Sequence, residues 1–343
     1  MFSPRHTITN KLLSNIKGIS ALVVELNHQH YPHTMLVEFE KDARAISTFA
    51  STSIEGNPLP LTDVKKILRS KPVNIQKSEQ EVINYNQALT HLNDRLNNKS
   101  PIILTLDFIL TIQKQVTAKL IPHSYIGNLR VQPVFVNNPR TGETAYLPPD
   151  AKEVPKLMDE LISFINANKR KIDPLILAGF FHKQFVIIHP FMDGNGRTAR
   201  LVTKALLADM GLDTFNLFSF ENYYNRNVTN YFRQVGVLGN YYDIYKTLDF
   251  TMWLEYFTEG IIDELLRVQK ELSAKAISPK TELQPYHKKI LGFIKEKGYI
   301  TDRDYAKITD RAKATRILDF AKLIKLRFIK RYGKGRSTYY KLS

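Results

Sequence analysis

One stretch constrains everything around it: Ile187-Ile188-His189-Pro190-Phe191-Met192-Asp193-Gly194-Asn195-Gly196-Arg197-Thr198-Ala199-Arg200. An apolar run ends in His-Pro, turns through Gly-Asn-Gly and restarts as a helix. Pro190 lacks an N–H and disfavours helical geometry at the residue before it, so a preceding helix must stop at about His189. Gly194 and Gly196 allow positive φ and let a ligand come close to the backbone. The amides that follow are unpaired donors at a helix start, which suits an anion. Arg197 and Arg200 share one face of the new helix and can fork onto phosphate oxygens. Asp193 beside this positive pocket makes sense if Mg²⁺ joins it to the phosphates. His189, at the pocket edge, is a natural general base near neutral pH.

Each part alone is commonplace, since a histidine before proline is usually structural and Gly-Asn-Gly is usually a tight turn. Together, His189-Pro190-Phe191-x-Asp193-Gly194-Asn195-Gly196-Arg197-x-x-Arg200 resembles the Fic family signature, HPFx(D/E)GNGRxxR, with Met192 at a variable position. Fic proteins are mostly adenylyltransferases that move AMP from ATP onto a Ser, Thr or Tyr hydroxyl of a protein. The resemblance implies that His189 takes the proton of the attacking hydroxyl and that Phe191 anchors the loop in the core. It implies that Asp193 holds Mg²⁺ and that Gly194, Asn195 and Gly196 cradle the phosphates. Arg197 would meet the β-phosphate and Arg200 the γ-phosphate.

Composition narrows the alternatives. The 343 residues allow two or more domains, and a hydrophobic content of 43% is ordinary for a folded protein. No apolar run approaches the ~18 residues of a membrane span, and the N-terminus lacks a signal-peptide pattern. The absence of cysteine rules out disulfides, cysteine nucleophiles and thiolate metal sites, and fits a cytoplasmic location. The nine histidines show no zinc spacing, and no GxxxxGK(S/T) loop is present.

Taken in order, residues 7–30 and 34–53 read as helices, the second closing before Gly56-Asn57-Pro58. Its end, Ser51-Thr52-Ser53-Ile54-Glu55-Gly56-Asn57, resembles the Fic inhibitory motif (S/T)xxxE(G/N). The resemblance implies that Glu55 pairs with Arg200 and blocks the γ-phosphate site, with Ser51 and Gly56 as the other motif positions. Without the resemblance, Glu55 reads as an ordinary helix-end glutamate.

Residues 61–121 read as helical throughout. Val134–Val136 and Thr144–Leu147 read as two short strands around a turn, and the segment 131–147 resembles the Fic flap, a hairpin that aligns a target segment by strand addition. Helices follow over 154–167 and, capped by Asp173-Pro174, over 175–188, the latter apolar nearly all round and so expected at the centre of a helical core. His182 within it reads as a core histidine. Glu221–Arg226 and Asn230–Phe232 are similar to a Fic region at the adenine and ribose end, which makes Tyr231 and Asn240 candidate nucleotide contacts. A last core helix runs from about Asp249 to Ala276.

Net charge is +16, and from Pro285 onward 17 Lys and Arg face 5 Asp and Glu. After a linker at Ile277–Thr281, three helices and a basic hairpin tipped by Gly333-Lys334-Gly335 resemble a winged helix-turn-helix. Asp310-Arg311 is expected to open the groove-reading helix, presenting Arg311, Lys313, Thr315 and Arg316, with Lys334 and Arg336 on phosphate. Winged helices also bind protein or dimerise, so both partners stay open.

The fold expected is mainly α: an N-terminal helical region (1–110) carrying the motif 51–56, a Fic core (111–276) with flap and signature loop (189–200), and a winged helix (283–343). The function expected is an ATP- and Mg²⁺-dependent protein adenylyltransferase, self-modification included, autoinhibited by Glu55, with a homodimer possible and no membrane partner. The alternatives are a DNA-binding regulator with a nucleotide-sensing core, or a Fic enzyme that transfers UMP, phosphate or phosphocholine, or removes AMP.

Overall fold

The computed structural model describes residues 2–29, 31, 33–70, 72–97, 103–137, 144–276, 283–326, 328–333 and 335–342. Residues 1–28 with 42–268 form one compact unit, and residues 29–41 with 269–343 form another. The chain is mainly helical. In order come α1 (Asn10–His28), α2 (His33–Ile54), α3 (Leu61–Arg69), α4 (Lys77–Asn97) and α5 (Leu106–Thr117), then β1 (Val136–Asn137) and β2 (Thr144–Leu147). The helices α6 (Val154–Asn168), α7 (Pro174–Ile188), α8 (Asn195–Leu207), α9 (Glu221–Arg226) and α10 (Val228–Val235) follow. After β3 (Gly239–Asn240) come α11 (Tyr241–Ile244) and α12 (Thr251–Ala276). No described helix is long and apolar enough to cross a membrane.

α7 is the axis of the larger unit. Asp173 caps it by accepting from Leu175 N at 2.8 Å, and Pro174 takes the first turn, where no N–H is needed. Every residue of α7 except Pro174 and Val186 is buried. Phe180, Phe181 and Phe185 are fully buried, each worth on the order of 2 kcal/mol of transfer free energy. At Gly179 a Cβ would stand 2.6 Å from Leu254 Cδ2, so only glycine admits α12 this closely. Trp253 Nε1 completes that contact by donating to Gly179 O at 2.8 Å. α8, which begins at the signature loop, packs along α7 and is buried at nearly every position.

Three differences from the sequence reading have physical causes. The helical expectation over 61–121 breaks between α3 and α4, where Pro72 lies, and again before α5, which Thr105 caps by accepting from Phe108 N. The hairpin is not alone. β2 pairs antiparallel with β1 and parallel with β3, giving the order β1-β2-β3, with Tyr146 opposite Gly239 and Leu147 opposite Asn240. Two-residue strands are too short for alternation to reveal, and here Tyr146, Ile187 and Tyr241 pack together beneath the sheet. The turn residues 138–143 and the linker 277–281 lie outside the described residues.

The third difference lies in the smaller unit, which contains α13 (Pro285–Lys297), α14 (Asp302–Lys307), α15 (Lys313–Lys325), β4 (Ile329–Tyr332) and β5 (Tyr339–Leu342). Ile290, Ile294, Ile300, Tyr305, Phe320, Leu323 and Ile329 form its core. Thr301 and Asp304 make a reciprocal capping box at α14. α15 starts at Lys313, not Asp310, because Ala312 is extended (ψ 152°) and Arg311 is drawn aside. Arg311 lies 3.6 Å over the Tyr286 ring and its Nε donates to Asp319 at 2.7 Å.

Candidate active site

α7 ends on an unusual backbone. His189 is left-handed (φ 51°, ψ 59°), a conformation that costs a β-carbon residue free energy and persists only where neighbours enforce it. Arg130 is the enforcer. Its Nε donates to His189 O at 2.8 Å, its Nη2 reaches Ile188 O and Pro149 O, its Nη1 reaches Gln132 O, and its own N–H donates to Pro190 O. Gln132 and Pro149 flank the hairpin, so one buried guanidinium ties both ends of the hairpin to the His189 turn. Burial lowers the Arg130 pKa from the ordinary arginine value. The His189 ring is fixed too: Nδ1 lies 3.3 Å from Val186 O, and since a carbonyl only accepts, Nδ1 carries the proton and Nε2 is bare. Burial lowers the His189 pKa to about 4, partly offset by the Val186 carbonyl, so the ring is neutral at physiological pH.

The turn is held by its own signature side chains. Asn195 Oδ1 accepts from Phe191 N at 2.9 Å, and Asn195 Nδ2 donates to Phe191 O at 2.8 Å. With Phe191 fully buried, this pair of hydrogen bonds locks the loop onto the core. Asn195 was expected near a phosphate, and here its amide is spent on loop geometry. Gly194 is left-handed (φ 83°), and a Cβ there would stand 2.7 Å from Thr117 Cγ2. Buried Gln113 donates to Asp193 O at 3.2 Å and accepts from Gly127 N at 2.6 Å.

The two arginines of α8 each meet carboxylates. Fully buried Arg200 donates from Nε to Ser51 Oγ at 2.7 Å, and from Nη2 to Ser51 O at 2.9 Å and Glu55 Oε1 at 2.7 Å. Burial opposes its charge, but Glu55, Tyr231 and Tyr85 hold its pKa above the usual arginine value. The Glu55 carboxylate rests on Gly196, where a Cβ would overlap Oε1. Gly56 follows at φ 91° with open space around it, so it serves backbone conformation rather than clearance. Arg197, also buried, pairs from Nη1 with Glu81 at 2.7 Å and from Nη2 with Asp193 at 2.8 Å. Two guanidinium nitrogens, Arg197 Nε and Arg200 Nη1, are buried without a partner. Unsatisfied cationic donors at a helix start are what an incoming polyphosphate would satisfy.

Among the described residues no group of three or more His, Asp or Glu could hold a metal ion alone. Asp193 is a single, partly exposed carboxylate beside the start of α8, a donor type suited to Mg²⁺ shared with phosphate oxygens.

Tyr231, expected at the nucleotide, turns into the core. It is buried, its hydroxyl lies 2.9 Å from His182 Nε2, and Thr203 Oγ1 lies 3.0 Å from His182 Nδ1. This chain backs Arg200 from inside, and burial together with Arg200 lowers the His182 pKa well below the usual histidine value. The sequence alone could not show which side of α10 the ring takes. Asn227, Thr229, Asn230 and Arg233 instead line an open cleft on that segment. Asn240 caps α11 by accepting from Tyr242 N at 3.0 Å.

In the smaller unit, Arg311 pairs with Asp319 through two nitrogens, and Arg316 pairs with Asp302 at 2.8 and 3.0 Å. Neither is poised to read a base, a role the sequence pattern suggested, whereas Lys313 is exposed. Lys334 lies outside the described residues.

Fold and site define a mainly helical protein with a histidine-tipped loop beside a glutamate–arginine pair. Residues 103–207 match the model of the Fic/DOC family. The protein adenylyltransferase Fic of Nematostella vectensis is 33% identical over 175 residues, 50% of this chain and 39% of that protein. Protein adenylyltransferase fic-1 of Caenorhabditis elegans is 29% identical over 200 residues, 57% of this chain and 38% of that protein. The chain thus spans about two fifths of these relatives' length. A Fic family protein from Desulfovibrio desulfuricans has a similar fold, with a TM-score of 0.65 at 20% identity, covering 100% of this chain and 98% of that one.

Proposed function

We propose that the chain is a protein adenylyltransferase that transfers AMP from ATP to a hydroxyl of a protein, itself included, and is held inactive by Glu55. The observation that carries this reading is the Ser51–Glu55 clasp on Arg200 beside a complete signature loop. A hydroxyl oxygen attacks the α-phosphorus as the bond to the bridging oxygen of pyrophosphate breaks, and His189 Nε2 receives the hydroxyl proton. The α8 amides, Arg197 and Arg200 bind the phosphates and take up the charge of the departing pyrophosphate. Asp193 would hold Mg²⁺, which neutralises phosphate charge when bound. The free edge of β1 would align the target segment by strand addition. A cysteine-free chain suits the reducing cytoplasm.

The test uses ATP labelled at the α- or the γ-phosphate with wild type, Glu55→Gly and Glu55→Gly/His189→Ala. α-Label on protein in Glu55→Gly alone supports AMP transfer, the inhibitory glutamate and the catalytic histidine together. γ-Label indicates phosphate transfer instead. No label in any variant points to UMP transfer, phosphocholine transfer or AMP removal.

A second reading rests on the basic C-terminal segment: a winged helix that binds DNA and makes the protein a regulator whose core senses nucleotide. The concentration of positive charge in residues 285–343 favours it. Footprinting of the protein's own upstream region with and without ATP separates the two, because only the regulator protects DNA in a nucleotide-dependent way. A homodimer remains compatible with either reading.

A further inference from the structure

The turn that carries Glu55 reaches a second signature arginine by another route. Asn57, two residues on, is buried and fixed: its N–H donates to Thr52 O, its Oδ1 accepts from Leu59 N, and its Nδ2 donates to Ser78 O at 2.9 Å. The same Nδ2 donates to Glu81 Oε2 at 2.7 Å. Glu81, on α4, uses its other oxygen to hold Arg197 Nη1 at 2.7 Å. Both carboxylate oxygens are therefore engaged, one by a rigid amide and one by the arginine.

We propose that Glu81, braced by Asn57, is the positioning residue for Arg197, holding the guanidinium where it meets the β-phosphate of a bound nucleotide. This rests on the adenylyltransferase reading. A carboxylate clamped from behind is a support rather than a movable competitor, and a buried arginine needs a fixed counter-charge to keep its fork aimed. Were Asp193 to hold Mg²⁺, Nη2 would be free for phosphate while Glu81 kept Nη1. Arg197 Nε is buried without a partner, so the guanidinium keeps a donor that no protein group uses. One turn thus carries contacts of opposite sign: Glu55 blocks Arg200, and Asn57 supports Arg197.

The test is nucleotide binding, independent of transfer. ADP and AMP are titrated, with Mg²⁺, into the full chain carrying Glu55→Gly, Glu55→Gly/Glu81→Gln or Glu55→Gly/Asn57→Ala. Unfolding temperature without nucleotide checks that each variant folds, and Asn57→Ala keeps the carboxylate should Glu81→Gln not fold. Glu81→Gln is expected to weaken ADP by roughly tenfold, the scale of one charge-assisted hydrogen bond misplaced, and to leave AMP unchanged. Asn57→Ala is expected to weaken ADP less. Equal loss for ADP and AMP, no loss, or tighter ADP binding overturns the assignment. If Glu55→Gly itself binds neither nucleotide, the adenylyltransferase reading fails and this role fails with it.

Discussion

The carboxylate of Glu55 rests so closely on Gly196 that a single Cβ at Gly196 would overlap its Oε1. The carboxylate therefore fills the space above the start of α8 as well as pairing with Arg200. That space is where phosphates must lie if the α8 amides and both arginines bind them. Gly196→Ala should expel the glutamate, whose end is flexible, yet leave the site closed, because the new methyl takes the same volume. Neither nucleotide binding nor labelling is expected to rise, in contrast to Glu55→Gly. Labelling by Gly196→Ala as strong as by Glu55→Gly would show that the glycine serves the lock alone.

His189 gives a pH signature. Its pKa is lowered to about 4 by burial, below the ordinary 6.5, so the ring stays unprotonated through neutral and mildly acid solution. With Glu55→Gly, labelling should vary by no more than about twofold between about pH 8 and pH 6, where an unperturbed histidine would begin to lose its base form. The sign for stability follows. Between 6.5 and about 4 the unfolded chain binds a proton that the folded chain refuses, so this contribution is present above 6.5 and lost as pH falls through that window. A labelling profile with a midpoint near 6.5 would mean that the ring is solvated when it reacts.

The signature loop was legible in the sequence because its chemistry is contiguous: His189 to Arg200 form one turn and the start of one helix. The Ser51–Glu55 clasp was legible only by resemblance, since 145 residues separate Glu55 from Arg200. Arg130, Gln113 and Glu81 escaped notice because each looks ordinary locally and acquires its role from partners distant in sequence, such as His189 O, 59 residues from Arg130. Tyr231 misled for a related reason. An aromatic on a short helix reads alike whether it faces a ligand or a buried histidine, and only packing decides. The arginines of the smaller unit misled likewise, because the pattern of charge on a helix does not show that an aspartate on a neighbouring segment has already claimed it.

Arg130 makes a sharper case. Its fork holds the left-handed His189 carbonyl and both ends of the flap, so Arg130→Lys keeps the charge and removes the planar geometry. In the Glu55→Gly background, kcat for self-labelling should fall by about a hundredfold, the cost of a slightly misplaced reacting group. KM for ATP should change little, since no phosphate donor is touched. A rise in KM with kcat intact would place Arg130 in nucleotide binding instead.

Any duplex DNA bound by the smaller unit should be held without its sequence being read. Arg311 and Arg316 are spent on Asp319 and Asp302, and the outward face of α15 presents Ile317 and Leu318, 56% and 66% exposed, which cannot bond to base edges. The exposed Lys313 and Lys322 can still meet phosphates. Affinity measured by anisotropy should therefore fall steeply with salt and differ little between unrelated duplexes. Lys313→Ala and Lys322→Ala should each lower the salt slope by about one. Arg316→Ala should act on the fold instead. Its bond is what holds the Asp302 carboxyl below the usual aspartate range, so its loss removes a contribution present above that range and lost as pH falls. The variant should unfold at lower temperature at neutral pH and bind DNA as the wild type does. A sequence preference at fixed salt that vanishes in Arg316→Ala would show that Asp302 releases this arginine to the groove.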